Sequence, residues 1–287
     1  MIRRSPAAGI LTALAGGKGF SPGGDIDYGS GLNFINAALT GAPNKPLRDG
    51  TRKLGTMSGG YNRDVKPPKK RAIEVRSRLL ETYGQPVWRN PLPPLDELVS
   101  TILSQNTNDS NRDRAFETLR ERFPTWEEVR DADASEIIAA IRSAGLANQK
   151  GPRIQRALEQ ITEENGDLNL NFLEDLPPEQ AKDWLLRFKG VGPKTAAIVL
   201  LFSLGKPAFP VDTHIYRLTG RLGLRPENIN AEQAHDHLAA LFDPAMYYDV
   251  HLNLIRHGRE ICHARSPQCE RCPLGDLCPS SQALSRE

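Results

Sequence analysis

The chain has 287 residues, of which 39% are hydrophobic, and 37 Lys and Arg against 35 Asp and Glu leave a net charge of +2. Such a composition is typical of a soluble globular protein with one or two domains. The longest uninterrupted apolar run, residues 196–202, is far shorter than the roughly 18 to 20 residues that cross a bilayer, which excludes an integral membrane protein.

Positive charge and glycine are concentrated in the first quarter of the chain. Residues 1–71 contain 12 Lys and Arg against 4 Asp and Glu, together with 13 of the 24 Gly. Because this segment has little apolar periodicity, we predict that residues 1–69 form a disordered, basic, Gly- and Pro-rich extension. Its last residues, from Lys66 to Arg71, suit either an arm that attracts nucleic acid or a solvated linker.

From about residue 72 onward the hydrophobic pattern is helical. In one stretch Leu95, Leu98, Val99, Ile102 and Leu103 fall on one face of a helix. Short breaks rich in Pro, Gly, Asn and Asp separate the predicted helices, which lie near residues 72–83, 93–104, 110–122, 134–143, 150–164, 178–187, 193–204, 213–222, 231–241 and 245–261. The alternation typical of strands is missing, so we predict an all-α fold.

A short segment with two glycines joins the predicted helices 178–187 and 193–204. Gly190 and Gly192 flank Val191, and Pro193 suits the first position of the following helix. Without Cβ atoms, the two Gly let backbone N–H groups approach an external anion, which a helix N-terminus also attracts. We interpret this hairpin as a site for DNA phosphate; the alternative is a plain turn between helices, which the Gly-Val-Gly run alone would favour.

Lys194 is the second residue of the helix that begins at Pro193. The positive end of the helix dipole disfavours a protonated amine there, and partial burial against neighbouring helices would act in the same direction. A neutral lysine can attack carbon, so Lys194 is a candidate nucleophile. The alternative is a solvated lysine in a first helical turn.

Asp212 lies 18 residues further on, in the run PVDTH at residues 210–214, and we predict that it is the N-cap of the helix 213–222. Backbone N–H groups then keep its carboxylate ionised, which suits the stabilisation of an electron-poor sugar carbon. The alternative role is that of a simple cap. His214 is expected to be a packed or solvated helix residue.

All four Cys of the chain lie within 17 residues, at Cys262, Cys269, Cys272 and Cys278. A secreted disulfide scaffold would distribute its Cys more widely, so the clustering indicates a metal centre in a reducing compartment. Only Cys269 and Cys272 form the CxxC pair that zinc sites usually repeat; a [4Fe-4S] cluster fits the spacing better, with zinc as the alternative. Basic residues around the loop predict that this lobe faces phosphate, namely Arg256, His257, Arg259, His263, Arg265 and Arg271.

In their order and spacing, the GVGPKTA hairpin, the PVDTH segment and the cysteine loop resemble the endonuclease III family of helix-hairpin-helix DNA glycosylases, over about residues 72–281. The resemblance implies that Lys194 is the nucleophile that attacks the sugar C1′ and that Asp212 assists it. It also implies that the four Cys ligate a [4Fe-4S] cluster and that the hairpin residues Gly190, Val191 and Gly192 contact DNA.

The resemblance further implies two helical domains with the DNA cleft between them. A six-helix barrel containing the helix-hairpin-helix would cover residues 87–206. An iron–sulfur cluster domain would combine residues 70–86 with residues 207–281. Residues 1–69 lie outside the resemblance.

Two loops gain a role from the resemblance. Gln105 and Asn106 match a loop that fills the space left by an extruded nucleotide, with Asn106 at the usual glutamine position. Leu146 matches the family's wedge residue, and an apolar wedge is reasonable because flipping a base leaves an unstacked gap. From the sequence alone, the first loop is a polar turn with Asp109 as the next N-cap, and Leu146 could equally be a buried residue beside a turn.

The expected function is that of a bifunctional DNA glycosylase and AP lyase, which removes oxidised pyrimidines through a lysine Schiff base and cleaves the strand by β-elimination. The alternatives are a mismatch-directed uracil or thymine DNA glycosylase of the same fold, and a non-catalytic iron–sulfur DNA-binding module. Lys189, Pro193 and Asn106 depart from the common family pattern at positions that bear on opposite-strand preference. The expected partner is double-stranded DNA with damaged bases or abasic sites, and no interaction with a membrane is expected. We expect the protein to be a monomer that is located in the cytoplasm and associates with the nucleoid.

Overall fold

The computed structural model describes residues 68–88 and 91–284 of the chain. Within these ranges no β-strand occurs, which confirms the predicted all-α fold. None of the helices in this part is long and apolar enough to span a membrane. The α-helices are α1 (Pro68–Tyr83), α2 (Pro94–Ser104), α3 (Asp109–Arg122), α4 (Trp126–Asp131), α5 (Ala134–Ala140), α6 (Ala147–Asn165), α7 (Pro178–Leu186), α8 (Pro193–Ile198), α9 (Thr213–Arg221), α10 (Ala231–Ala239), α11 (Tyr247–Glu260) and α12 (Pro279–Leu284).

The first helix begins earlier than predicted and corrects the interpretation of the basic segment before it. Residues 1–67 of the predicted extension lie outside the described residues, whereas Pro68 and Lys69 already belong to α1. Arg71 is buried, and its guanidinium donates a hydrogen bond to the Leu222 carbonyl at 3.0 Å. Arg71 therefore anchors α1 to the end of α9 and is not part of an exposed arm.

Two short helices were missing from the sequence prediction, α4 and α12. The start of α4 carries a capping box, in which the Thr125 hydroxyl accepts from the Glu128 N–H and the Glu128 carboxylate accepts from the Thr125 N–H. The predicted cap of α3 was wrong by one residue. Asn108 is the N-cap, with its side chain accepting from the Asn111 N–H at 2.8 Å, and Asp109 is the first helical residue.

The buried hydrophobic residues form two clusters. The first draws on α2 to α8 and runs from Leu95 to Leu200. The second combines α1 with residues from Leu201 to Leu274, including faces of α9, α10 and α11. The change from one cluster to the other falls within a π-helical turn, Val199–Ser203, that continues α8. The helix that begins at the glycine hairpin therefore contributes to both clusters. The boundaries of the barrel domain and of the iron–sulfur cluster domain stay a prediction.

Candidate active site and cysteine loop

The glycine hairpin between α7 and α8 has the local geometry that its sequence predicts. Gly192 is the N-cap of α8 and Pro193 its first residue. Gly190 has a φ of 93°, a backbone conformation that favours glycine, and an added Cβ would lie 2.9 Å from Cδ of the Arg153 side chain. The Val191 side chain is buried, so this residue can offer a ligand only its backbone.

Lys194 lies at the second position of α8, as predicted. The residue is exposed. Its side chain is therefore accessible to a ligand that approaches the hairpin. The neighbouring Thr195 and Ala196 are buried and hold this turn of the helix in place.

Asp212 is the N-cap of α9, which confirms that prediction. Its Oδ1 accepts a hydrogen bond from the Ile215 N–H at 2.8 Å, and the residue is partly exposed. The carboxylate is thus fixed by the backbone on one side while it stays accessible on the other.

His251, on α11, is a further residue of this region that the sequence did not reveal. It is 2% exposed, and its Nδ1 lies 3.0 Å from the Pro210 carbonyl oxygen. Because a carbonyl only accepts, Nδ1 carries a proton and donates it to this oxygen. Burial lowers the pKa of His251 to about 4, while the Asp212 carboxylate raises it and the Lys194 ammonium lowers it. Both predicted catalytic groups therefore lie within electrostatic range of one buried imidazole.

The buried imidazole of His251 predicts a loss of stability in acid. The pKa of a histidine is ordinarily about 6.5, whereas that of His251 in the folded protein is about 4, so between these pH values the unfolded chain binds more protons. The neutral imidazole contributes up to about 3 kcal/mol to the free energy of unfolding. This contribution is fully present above pH 6.5 and is lost as the pH falls towards 4. Lys194, Asp212 and His235 are the charged or titratable neighbours that act on His251.

The check is a comparison of urea unfolding midpoints at pH 7 and pH 5 for the wild type and for His251→Asn. The asparagine amide can still donate to the Pro210 carbonyl but does not titrate. We expect the midpoint of the wild type to fall by more than that of the variant. Equal falls in the two proteins would contradict a role of His251 in acid sensitivity.

The predicted DNA-contacting set also includes two loops: the Gln105 loop, residues 104–108, and the Leu146 loop, residues 145–147. Gln105 Nε2 donates to the Gly190 carbonyl at 2.9 Å, so this side chain ties its loop to the hairpin. Asn106 is exposed with a φ of 53°. Leu146 has a φ of 50° and is 46% exposed, which favours the wedge interpretation over a buried leucine.

The four Cys are free thiols that line one cavity of about 220 Å³. This cavity is larger than the space that a single zinc ion, bonded to four sulfurs at about 2.3 Å, would require. Among the described residues, no group of three His, Cys, Asp or Glu side chains is gathered around one ion-sized point. Four soft thiol ligands around a larger space fit a polynuclear iron–sulfur cluster.

The surroundings of the thiols include hydrogen-bond donors that a cluster would use. Arg221 Nη1 donates to Cys262 Sγ at 3.2 Å and to the His263 carbonyl at 2.7 Å. His257 is buried, with Nε2 3.4 Å from Cys272 Sγ and Nδ1 2.9 Å from the Tyr83 hydroxyl. His257 therefore does not face phosphate, contrary to the prediction, and instead orients one ligand.

Several of the predicted phosphate-facing arginines are exposed, but two of them have partners within the chain. Arg259 pairs with Asp109 at 2.9 Å, and Arg256 pairs with Glu260 at 2.8 Å. Arg265 and Arg271 are exposed on the cysteine loop. These last two stay the better candidates for contacts with a phosphate backbone.

Comparison with known proteins places both motif regions in described families. Residues 99–244 match the HhH-GPD superfamily base excision DNA repair protein family, and residues 262–278 match the iron-sulfur binding domain of endonuclease III. The second match spans all four cysteines and indicates a [4Fe-4S] cluster.

The similar proteins include curated relatives and solved structures. A putative DNA glycosylase of Arabidopsis thaliana is 40% identical over 168 residues, which cover 58% of this chain and 57% of the relative. This chain therefore spans little more than half the length of that relative. Endonuclease III of Sulfolobus acidocaldarius is 36% identical over 183 residues, which cover 63% of this chain and 79% of the relative.

Two solved structures of endonuclease III with DNA, a non-covalent complex and a trapped covalent intermediate, are each 26% identical to this chain. Each has a TM-score of 0.67 and covers 76% of this chain and 99% of its own. The family matches begin within α2 and reach the last cysteine, with the hairpin, Lys194 and Asp212 inside the first of them. The chain thus belongs to the endonuclease III family within the HhH-GPD superfamily of base excision DNA repair proteins.

Proposed function

We propose that the chain is a bifunctional DNA glycosylase and AP lyase that removes oxidised pyrimidines from double-stranded DNA. The observation that carries this proposal is the exposed amine of Lys194 at the start of α8, which shares an electrostatic environment with Asp212 around His251. A glycosylase without lyase activity needs only an activated water, whereas a lysine in this position supplies a covalent nucleophile.

The proposed reaction begins with the neutral amine of Lys194. Its lone pair attacks the sugar C1′, the C1′–N bond breaks, and the base leaves with the bonding electrons and takes up a proton. The resulting ammonium loses a proton, the C1′–O4′ bond breaks as O4′ takes up a proton, and an iminium, the Schiff base, forms between Nζ and C1′. Removal of a C2′ proton then expels the 3′ phosphate by β-elimination, which cuts the strand on the 3′ side.

Asp212 and His251 have complementary parts in this proposal. The carboxylate of Asp212, fixed by the Ile215 N–H, stabilises the positive charge that develops on the sugar and helps Lys194 to lose its proton. His251 is neutral above its lowered pKa, so it adds no second positive charge beside the cationic sugar. The four cysteines of the loop would hold a [4Fe-4S] cluster. Its role in this proposal is structural, because it would cross-link residues 262–278.

The proposed DNA contacts come from three segments. Backbone N–H groups of the hairpin would bind phosphate, while Asn106 and the wedge Leu146 would enter the gap that the extruded nucleotide leaves. The relatives named endonuclease III and the trapped covalent DNA intermediate of a similar protein support a reaction that passes through a covalent bond to DNA. A monomer acting on chromosomal DNA in the cytoplasm is the corresponding proposal for assembly and location.

The test is borohydride trapping with duplexes that carry thymine glycol, uracil opposite guanine, or an abasic site. A covalent adduct with thymine glycol is the expected result. Excision of uracil without an adduct would favour a mismatch-directed glycosylase instead. Duplex binding with neither excision nor cleavage of any substrate would favour a non-catalytic iron–sulfur module.

A further inference from the structure

Lys150, on α6, is a buried lysine that the proposed chemistry does not use. Its side chain is 1% exposed, and Nζ donates to the Leu103 carbonyl at 2.7 Å and to the Ala144 carbonyl at 2.8 Å. Burial lowers the pKa of Lys150 to about 8, since an ammonium loses its water there. A methionine would fill similar space without this cost, so packing alone does not account for a lysine.

The two carbonyl groups that Lys150 binds lead directly into the two loops of the predicted DNA-contacting set. Leu103 lies in the last turn of α2, immediately before the Gln105 loop. Ala144 ends a 3₁₀ turn, Arg142–Ala144, immediately before the Leu146 loop. One buried ammonium therefore fixes the entry to both loops.

Both loops contain a residue with a left-handed backbone. Asn106 and Leu146 are two of the three non-glycine residues with positive φ in the part of the chain that the structure describes. A left-handed conformation is unfavourable for a side chain such as leucine and persists only where the surroundings enforce it. The hydrogen bonds from Lys150 supply part of that constraint on both loops.

The hairpin is tied to the same part of α6. Arg153, which follows Lys150 by three residues on that helix, packs against Gly190, where an added Cβ would lie 2.9 Å from its Cδ. Gln105 then connects its loop to the same glycine through the hydrogen bond to the Gly190 carbonyl. The first turns of α6 thus link all three segments that are proposed to contact DNA.

We propose that Lys150 is a positioning residue, which holds the Gln105 loop and the Leu146 loop in the one arrangement that extrudes a nucleotide from duplex DNA. The inference rests on the proposed function, because it concerns the extrusion step that precedes attack by Lys194. Lys150 acts through the two loops and does not contact DNA itself, since its side chain is buried.

The test compares duplex with single-stranded DNA, each with one abasic site, because only the duplex requires a nucleotide to leave the base stack. For Lys150→Met we expect the single-turnover rate of borohydride trapping to fall about 10- to 100-fold on the duplex, as misplaced groups do, and to stay unchanged on the single strand. Fluorescence of 2-aminopurine beside the abasic site should show the same loss of unstacking in the duplex.

Lys206→Met is the matched control. Lys206 Nζ also donates to two backbone carbonyls, those of Glu174 at 2.8 Å and Leu176 at 2.7 Å, and these belong to neither loop. We expect this variant to trap both substrates at the wild-type rates. If Lys150→Met does not fold, the test uses Lys150→Gln. The neutral glutamine amide still donates hydrogen bonds, but its side chain is one atom shorter than that of lysine. We again expect the trapping rate to fall on the duplex and to stay unchanged on the single strand.

The outcomes separate this inference from the function on which it rests. Equal losses on both substrates would show that Lys150 only supports the fold, and an unchanged rate on the duplex would remove it from extrusion; either result overturns the inference. A wild-type protein that traps neither substrate would instead contradict the proposed lyase activity.

Discussion

Replacement of Lys194 by Gln is expected to abolish covalent trapping and strand cleavage while DNA binding persists. Glutamine has no amine lone pair that could attack C1′, so no iminium forms for borohydride to reduce. The rate of strand cleavage should fall by at least about 10³-fold, in the range seen when a covalent nucleophile is removed. The measurement is single-turnover trapping on duplexes with thymine glycol or an abasic site, together with duplex affinity at fixed salt.

Lys189→Gln is the matched control for that experiment. Lys189 is exposed in the same hairpin, five residues before Lys194, and its replacement removes the same charge from the same surface. Both variants should lose a similar, small part of their duplex affinity, because each loses one cation near phosphate. Only Lys194→Gln should lose the adduct. A Lys194→Gln protein that still forms the adduct would require a different nucleophile.

The sequence predicted most of the fold and the local geometry of the candidate site. Apolar periodicity located the long helices, and the start of α8 and the cap of α9 followed from Pro193 and Asp212, since both preferences act within one helical turn. The short helix α4 was missed because six residues show too little periodicity, although the capping box of Thr125 and Glu128 marks its start.

Contacts between distant segments could not be predicted in the same way. A helical pattern shows which face is apolar, but not which other element covers that face. His251 therefore looked like any polar residue of α11, and Lys150 like any lysine, although both are almost fully buried. The same holds for His257, whose contact with Cys272 depends on how α11 meets the cysteine loop.

Replacement of Cys272 by Ser is expected to prevent binding of the cluster. The segment that follows α11 is then expected to lose its folded structure. Iron in such clusters prefers thiolate sulfur, and a serine oxygen is a much poorer ligand. Leu274 is fully buried two residues later, in the second hydrophobic cluster, so loss of the ligand at Cys272 would also release this contact. The purified variant should lose the broad visible absorbance and the bound iron of the wild type, and its thermal unfolding should begin at a lower temperature.

The matched control is Ser280→Ala, because Ser280 lines the same cavity and donates a hydrogen bond to the Arg221 carbonyl, yet has no sulfur. This variant should keep its iron and its colour, since a missing neutral hydrogen bond at a partly exposed site changes stability only by about 1 kcal/mol. Full iron content in Cys272→Ser would remove that thiol from the ligand set. A colourless wild type with one zinc per chain would replace the cluster by a zinc site, and the cavity between the four thiols would then have to close around a single ion.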